Sequence, residues 1–239
     1  MEGLPEHGHS RAEIAARLSS PRRRNDLKDA VYGGIDGAVT TFAIVAGVAG
    51  AGLSTAVIVA LGVANVLADG FSMAASNYSG TKTELDEAAR LREIEARHIR
   101  LAPEGEREEV RQILASKGLS GDVLDAATDA ICDDRERWID LMLVEEYGLS
   151  PAPPHPLRSA MVTFLAFIAA GFIPLVPFLL GMTGGFWVAS VVTAAVFFAI
   201  GAGKSFWSLA PWWRSGLETL AIGGTAAAIA FFVGSLFHP

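Results

Sequence analysis

The sequence predicts an all-α membrane protein with five transmembrane helices and a cytosolic helical acidic domain inserted between the second and third spans. Three observations predict it. Hydrophobic residues make up 51% of the 239 residues and mean hydropathy is +0.37, values that alone suit either a soluble domain or a small membrane protein. Their distribution decides. From Val31 to Thr81 the only charged residues are Asp36 and Asp69, and from Ser159 to Gly203 there is none; apolar runs of this length read as spanning segments. The charge is concentrated between them, because residues 82–157 carry eighteen acids against ten Lys or Arg, a net −8 against −7 for the whole chain. Cations are the natural partners of such a segment, and nucleic acid is disfavoured because phosphate binding needs a basic footprint. The single Cys132 excludes an internal disulfide framework and suits a reducing compartment.

Taken in order, residues 1–25 form a polar, mobile N-terminal segment in which Ser10 and Glu13 have capping-box spacing ahead of a short helix. His7 and His9 are metal-capable but sit in a loose terminus. The Arg22-Arg23-Arg24 cluster resembles a signal-peptide n-region, yet the apolar stretch behind it is too long and contains Asp36, so it reads as an uncleaved membrane helix. Residues 26–81 make the first two spans, about Ala30 to Ala51 and about Thr55 to Tyr78, joined by Gly50-Ala51-Gly52. No breaker follows Tyr78, so the second span is expected to continue as one rod through the Ala-, Leu-, Glu- and Arg-rich segment to Leu101, where Pro103 and Gly105 end it.

The acidic domain, residues 82–150, then continues with helices over about Glu106 to Ser116, Val123 to Cys132 with Asp122 as cap, and Arg135 to Tyr147. Residues 151–239 hold a Pro-rich linker and three spans, about Leu157 to Leu180 with kinks at Pro174 and Pro177, Phe186 to Trp207, and Trp213 to Phe237. Five spans put the termini on opposite sides. Arg22 to Lys28, the basic residues of the insert, Arg158, Lys204 and Arg214 then share one side, which the positive-inside rule makes the cytoplasm. Lys204 and Glu218 lie near span ends, where snorkelling accounts for them, and Arg214 and Glu218 have i, i+4 pairing distance.

Two carboxylates fall inside spans. An ionised carboxylate at mid-bilayer costs about 3 kcal/mol on insertion scales, so a buried Asp lines a polar path, titrates, or ties helices by hydrogen bonds. Tyr32, Asp36 and Thr40 share one face of the first span; Asn65, Asp69, Ser72, Met73 and Ser76 share one face of the second. Two polar stripes on consecutive antiparallel helices suggest a shared hydrophilic path. The plainer alternatives are that Asp36 is structural, that Gly33, Gly37 and Gly47 are packing contacts, and that Met73 is apolar filler.

In the acidic helices the default reading is a solvated face, so the side on which the acids fall matters. Leu91, Ile94, Glu95, His98 and Leu101 form one stripe; Glu106, Glu109, Val110 and Ile113 another, with Arg107, Glu108 and Arg111 facing away; Ile139, Met142, Leu143 and Glu146 a third. Carboxylate, imidazole and thioether are thereby aimed at the inside of a small domain. Unpaired carboxylates there repel and desolvate unless cations neutralise them. Divalent metal is the simplest neutraliser, and mixed carboxylate, His and Met ligation suits iron, manganese, cobalt or zinc better than calcium. Arg92, Arg97 and Arg100 are competing partners for the same acids, and Cys132 is either an extra ligand or an inert buried thiol.

The combination of Tyr32-Gly33-Gly34-Ile35-Asp36-Gly37, Ala68-Asp69-Gly70-Phe71-Ser72-Met73, the Glu-rich insert with Pro103-Glu104-Gly105-Glu106, and Met142 to Glu146 before a Pro-rich return resembles the vacuolar iron transporter (VIT, nodulin-like) family, in a bacterial-type member, from about Asn25 onward. The resemblance implies a homodimer of five-span chains in the lipid bilayer, carrying Fe2+ and similar divalent ions (Mn2+, Co2+, Zn2+) out of the cytosol in exchange for protons. By position it implies pathway roles for Asp36 and Met73 and metal ligation by Glu95, Glu106, Glu109, Met142 and Glu146, with His98 where the family has a further glutamate. Asn65 stands where some members carry a second-span glutamate and Asp69 lies one turn on, so either is the second pathway group; Leu143 replaces a second methionine.

The expectation is therefore a metal/proton antiporter, not an enzyme, in the cytoplasmic (inner) membrane with its N-terminus and metal-binding domain in the cytosol. Two alternatives stay open. Glu95-Ala96-Arg97-His98 is a Glu-x-x-His step, as in membrane-tethered di-iron oxidases, but that class needs a second such step and the sequence has none. A metal-binding scaffold without transport is the other.

Overall fold

The structure, a computed structural model, describes residues 8–20 and 25–238. His7 and the Arg22-Arg23-Arg24 cluster lie outside the described residues. Every regular element among the described residues is helical, and five helices are long and apolar enough to cross a membrane: Leu27–Gly50, Thr55–Leu101, Pro156–Leu179, Gly185–Trp207 and Trp212–Ser235. The protein is an integral membrane protein.

Helix α1 (Arg11–Ser19) begins with the expected capping box, in which Glu13 N–H donates to Ser10 Oγ (3.3 Å) and Ser10 N–H donates back to Glu13 Oε2 (3.0 Å). Helix α2 (Leu27–Gly50) ends at a turn in which Gly52 takes φ +69, a left-handed conformation that glycine tolerates. Helix α3 (Thr55–Leu101) is unbroken over 47 residues. It stops two residues before Pro103, which does not lie in a loop as expected but occupies the first turn of α4 (Pro103–Ser116), where its missing N–H costs nothing. Helix α5 (Gly121–Cys132) starts from Ser120, not Asp122, and α6 (Arg135–Glu145) starts from Asp134, whose carboxylate accepts from the N–H groups of Glu136 and Arg137.

The chain forms two compact units. In the unit of Asn25–Lys82 and His155–Pro239, α2 packs against α7 (Pro156–Phe172), α9 (Gly185–Lys204) and α10 (Trp212–Ser235). Its apolar core gathers Phe42, Val45, Val48, Ile58, Val66, Leu175 and Ala189. After α7 the helix tightens into a 3-10 turn (Ile173–Leu175) and resumes as α8 (Val176–Leu179), the interruption that Pro174 and Pro177 impose by removing N–H donors. Close approach comes from small residues. A Cβ added at Gly33 would lie 2.3 Å from the Thr163 carbonyl oxygen, and one at Gly37 would lie 2.4 Å from that of Phe167, so α2 and α7 touch backbone to backbone. Glu218 reaches Lys204 across α9 and α10 (3.7 Å) and not Arg214 along its own helix as its spacing suggested, because α9 and α10 pack side by side.

In the unit that includes Thr83–Pro154, α4 packs on α5 and α6, and Val110, Leu114, Leu124, Trp138 and Met142 form the core with Ile99 against it. The basic residues act as struts between helices. Arg107 pairs with Asp129, Arg111 with Asp125 (3.2 Å), Lys117 with Glu145 (2.7 Å), and Arg92 with both Glu136 and Asp140 (2.7 Å to the latter). Of the stripe expected on α3, Glu95 is buried and Leu91 and Ile94 are half-buried, whereas His98 and Leu101 are exposed and Ile99 packs against the core in their place.

Candidate functional site

Near the end of α3 and the start of α4, three side chains converge. Glu95, His98 and Glu106 each offer a ligand atom within 4.8 Å of the others. Glu95 is completely buried and Glu106 is 7% exposed, whereas His98 is open to solvent. Helical periodicity explains the pairing on α3, since residues three apart share a face, and the short reversal at Ala102 returns the first turn of α4 alongside. His98 Nδ1 lies 3.5 Å from Glu106 Oε1. Glu95 Oε1 and Glu106 Oε2 are buried and have no hydrogen-bond donor among the described residues.

Two buried carboxylates sharing a site cannot both ionise cheaply. Burial pushes Glu106 up to about 8, with further contributions from its hydrogen bond to the Glu95 carboxyl and from the charges of Glu95, Glu109 and Glu146. Glu146 is also raised, first by desolvation and then by Glu95 and Glu109, while Tyr147 and His98 act the other way. Glu109 and Glu146 are thus coupled electrostatically to the pair although both are exposed, on the rim and not inside as the periodicity suggested. The buried stripe of α4 runs Glu106, Val110, Leu114, and Glu109 falls to one side of it. Met142 is fully buried among Val110, Leu114, Leu124 and Trp138. Of the competing cations, Arg92 is committed to Glu136 and Asp140. Burial raises the Cys132 thiol, with Arg107 opposing and Asp129 and Asp133 adding, which disfavours the thiolate form.

In the membrane unit Asp36, Asn65, Asp69 and Met73 are all partly buried. Thr40 Oγ1 donates to the Asp36 carbonyl (2.8 Å), Asn65 Nδ2 donates to Thr40 Oγ1 (3.4 Å), and Asp69 lies within electrostatic reach of Asp36. The polar faces of α2 and α3 therefore meet at Thr40, Asn65 and the two aspartates. Tyr32, on the same nominal face, is instead 56% exposed, with Lys28 Nζ over its ring. Gly33 and Gly37 are packing contacts, as above.

A family model described as the VIT family matches residues 27–235. The chain belongs to the VIT family. Vacuolar iron transporter 1 of Arabidopsis thaliana is 35% identical over 210 residues, covering 86% of this chain and 83% of its own length. Vacuolar iron transporter 1 of Eucalyptus grandis is 30% identical over 239 residues and 96% of both chains, and the vacuolar iron transporter of Toxoplasma gondii is 32% identical over 224 residues, 89% of this chain and 74% of its own.

Sequence reasoning on this VIT chain passed over two groups at the cluster and its core. Tyr147 donates its O–H to Glu95 Oε2 (3.2 Å) from 52 residues away, and its phenol is pushed up to about 12 by burial and by Glu146 and Glu95. Its only sequence signal is an aromatic at the end of a helix that already carries Met142 and Glu146. Trp138 is buried in the apolar core, and the i, i+4 spacing to Met142 would have identified it.

Proposed function

We propose that this VIT chain is a secondary-active transporter that moves divalent metal, Fe2+ foremost, out of the cytosol in exchange for protons. The observation that carries the reading is the meeting of Glu95, His98 and Glu106 around two buried carboxylate oxygens without donors. A divalent cation supplies the missing positive charge, and the donor set of two carboxylates and an imidazole suits first-row ions. Iron is favoured because the relatives named above are iron transporters. In this reading the segment 82–150 is a cytosolic collector, with Glu109, Glu146 and Met142 completing the ligand supply as the ion arrives. Asp36, with Asp69, Asn65 and Met73, forms the membrane pathway, and the protein works as a homodimer in the cytoplasmic membrane.

Proton coupling follows from the same chemistry. A metal ion binds the carboxylate form, so its arrival at Glu106 releases the proton that burial keeps there near neutral pH. In the membrane, Asp36 exchanges metal for proton in the same way. Uptake of Fe2+ into proteoliposomes under an imposed proton gradient tests the reading. Metal-dependent proton movement is expected in the wild type and its loss in Asp36→Ala; wild-type flux in that variant overturns the mechanism. Ferrous iron that drives oxygen consumption without flux identifies a di-iron oxidase instead, and binding without flux a scaffold.

A further inference from the structure

We propose that Tyr147 is a positioning residue that makes the cluster select among cations, by holding Glu95 to ligation through a single oxygen. The proposal rests on Glu95, His98 and Glu106 being metal ligands. Tyr147 stands just past the end of α6, in a segment the backbone pins. Glu146 N–H and Tyr147 N–H both donate to the Met142 carbonyl (2.9 and 3.4 Å), Leu149 N–H donates to the Leu143 carbonyl (3.0 Å), and Gly148 turns the chain at φ +66. From that fixed point the phenol reaches Glu95 Oε2 at 3.2 Å.

The two oxygens of Glu95 consequently have different fates. Oε2 accepts the phenol proton, while Oε1 is buried and has no donor among the described residues. The phenol occupies one lone pair of Oε2 and orients the carboxylate plane, so Oε1 is the oxygen left freer for a cation beside His98 and Glu106. Calcium takes six to eight oxygens and commonly draws bidentate carboxylates, whereas first-row ions accept fewer ligands and include nitrogen. A carboxylate held to one oxygen next to an imidazole penalises calcium and leaves the smaller ion unharmed. Glu106 has no phenol partner: it neighbours the Glu95 carboxyl and its Oε1 lies beside His98, so at the buried pair the tether acts on Glu95, with Glu146 on the rim also in the phenol's reach.

Tyr147→Phe keeps the ring and removes only the donor. In the full-length protein in detergent at fixed pH, Co2+ and Ca2+ are titrated separately, and the visible d–d spectrum of the Co2+ form is recorded. The expected result is a shift of about tenfold or more in the Ca2+/Co2+ affinity ratio toward calcium, the usual scale for losing a group that orients a ligand, together with a changed Co2+ spectrum. Equal weakening of both ions, or an unchanged ratio and spectrum, overturns the proposal and leaves Tyr147 as a structural tie. The parent reading fails separately: wild-type protein that takes up no Co2+, or Glu95→Ala protein that binds Co2+ as the wild type does, removes the site itself.

Discussion

Glu106 holds its proton at neutral pH because its carboxyl is buried against Glu95 with no donor for its Oε2. Its folded value, about 8, stands above the ordinary 4.5, so between those limits the folded chain binds more protons than the unfolded one. The contribution of this group to stability is therefore fully present below about pH 4.5 and is lost as pH rises toward about 8. Thermal melts of metal-free protein are expected to fall over that window, and Glu106→Gln, which cannot ionise, is expected to flatten the fall. On the metal-binding reading proposed above, divalent metal is expected to reverse the trend by binding the deprotonated form: Co2+ affinity is expected to weaken by up to tenfold per pH unit on acidification below about 8 in the wild type, and to lose most of that dependence in Glu106→Gln, as read by titration at several pH values. At this scale the sequence was informative where a residue's role depends on its own helix. Glu95 and Glu106 follow from periodicity; Glu109 falls one position off the buried stripe of α4, and Glu146 keeps the spacing of its stripe but stands at the C-cap of α6, past its last helical turn, where periodicity no longer implies burial. Tyr147 was illegible because its partner lies on another helix, and no local pattern encodes that distance.

Among the elements, α2 owes its place to two kinds of contact. Its glycines press on α7, and a side chain at Gly37 would meet the Phe167 backbone at 2.4 Å, a clash that rotamer changes cannot relieve. Gly37→Leu is expected to abolish the folded protein on size-exclusion chromatography, whereas a change at Gly80, which has open space around it, is expected to be tolerated. The second contact is polar. Asn77 of α3 donates to Asp29 Oδ1 of α2 (2.9 Å) and to Thr163 Oγ1 of α7 (2.7 Å), and accepts from Thr81 (3.1 Å), with Asp29 and Thr163 buried. Asn77→Ala is expected to cost about 1–3 kcal/mol by stranding a buried carboxylate, measurable as a lower melting temperature in detergent. Span positions were legible because apolar length is a one-dimensional property, and the break at Pro174 and Pro177 because proline removes a donor wherever it sits. The Asn77 network was not, since it joins residues 48 and 86 positions apart.

For the molecule as a whole, a ligand that binds only the folded chain stabilises it in proportion to the logarithm of its concentration over Kd, by about 2.7 kcal/mol at a hundredfold excess. Fe2+ or Co2+ is expected to raise the melting temperature and a chelator to reverse it, with Glu95→Gln insensitive to both. Membership of the VIT family and the all-helical, five-span class were readable from the chain alone, because composition and motifs extend over its length. The backbone-to-backbone contact of α2 with α7 carries one more consequence, for movement. Helices meeting through Gly33 and Gly37 can neither slide nor roll against each other without a carbonyl striking a Cα, so α2 and α7 must travel as one body, and Asp36, lying between those glycines in sequence, travels with them. The transport proposed above, which exposes Asp36 to each face of a membrane in turn, then requires movement outside α2 and α7.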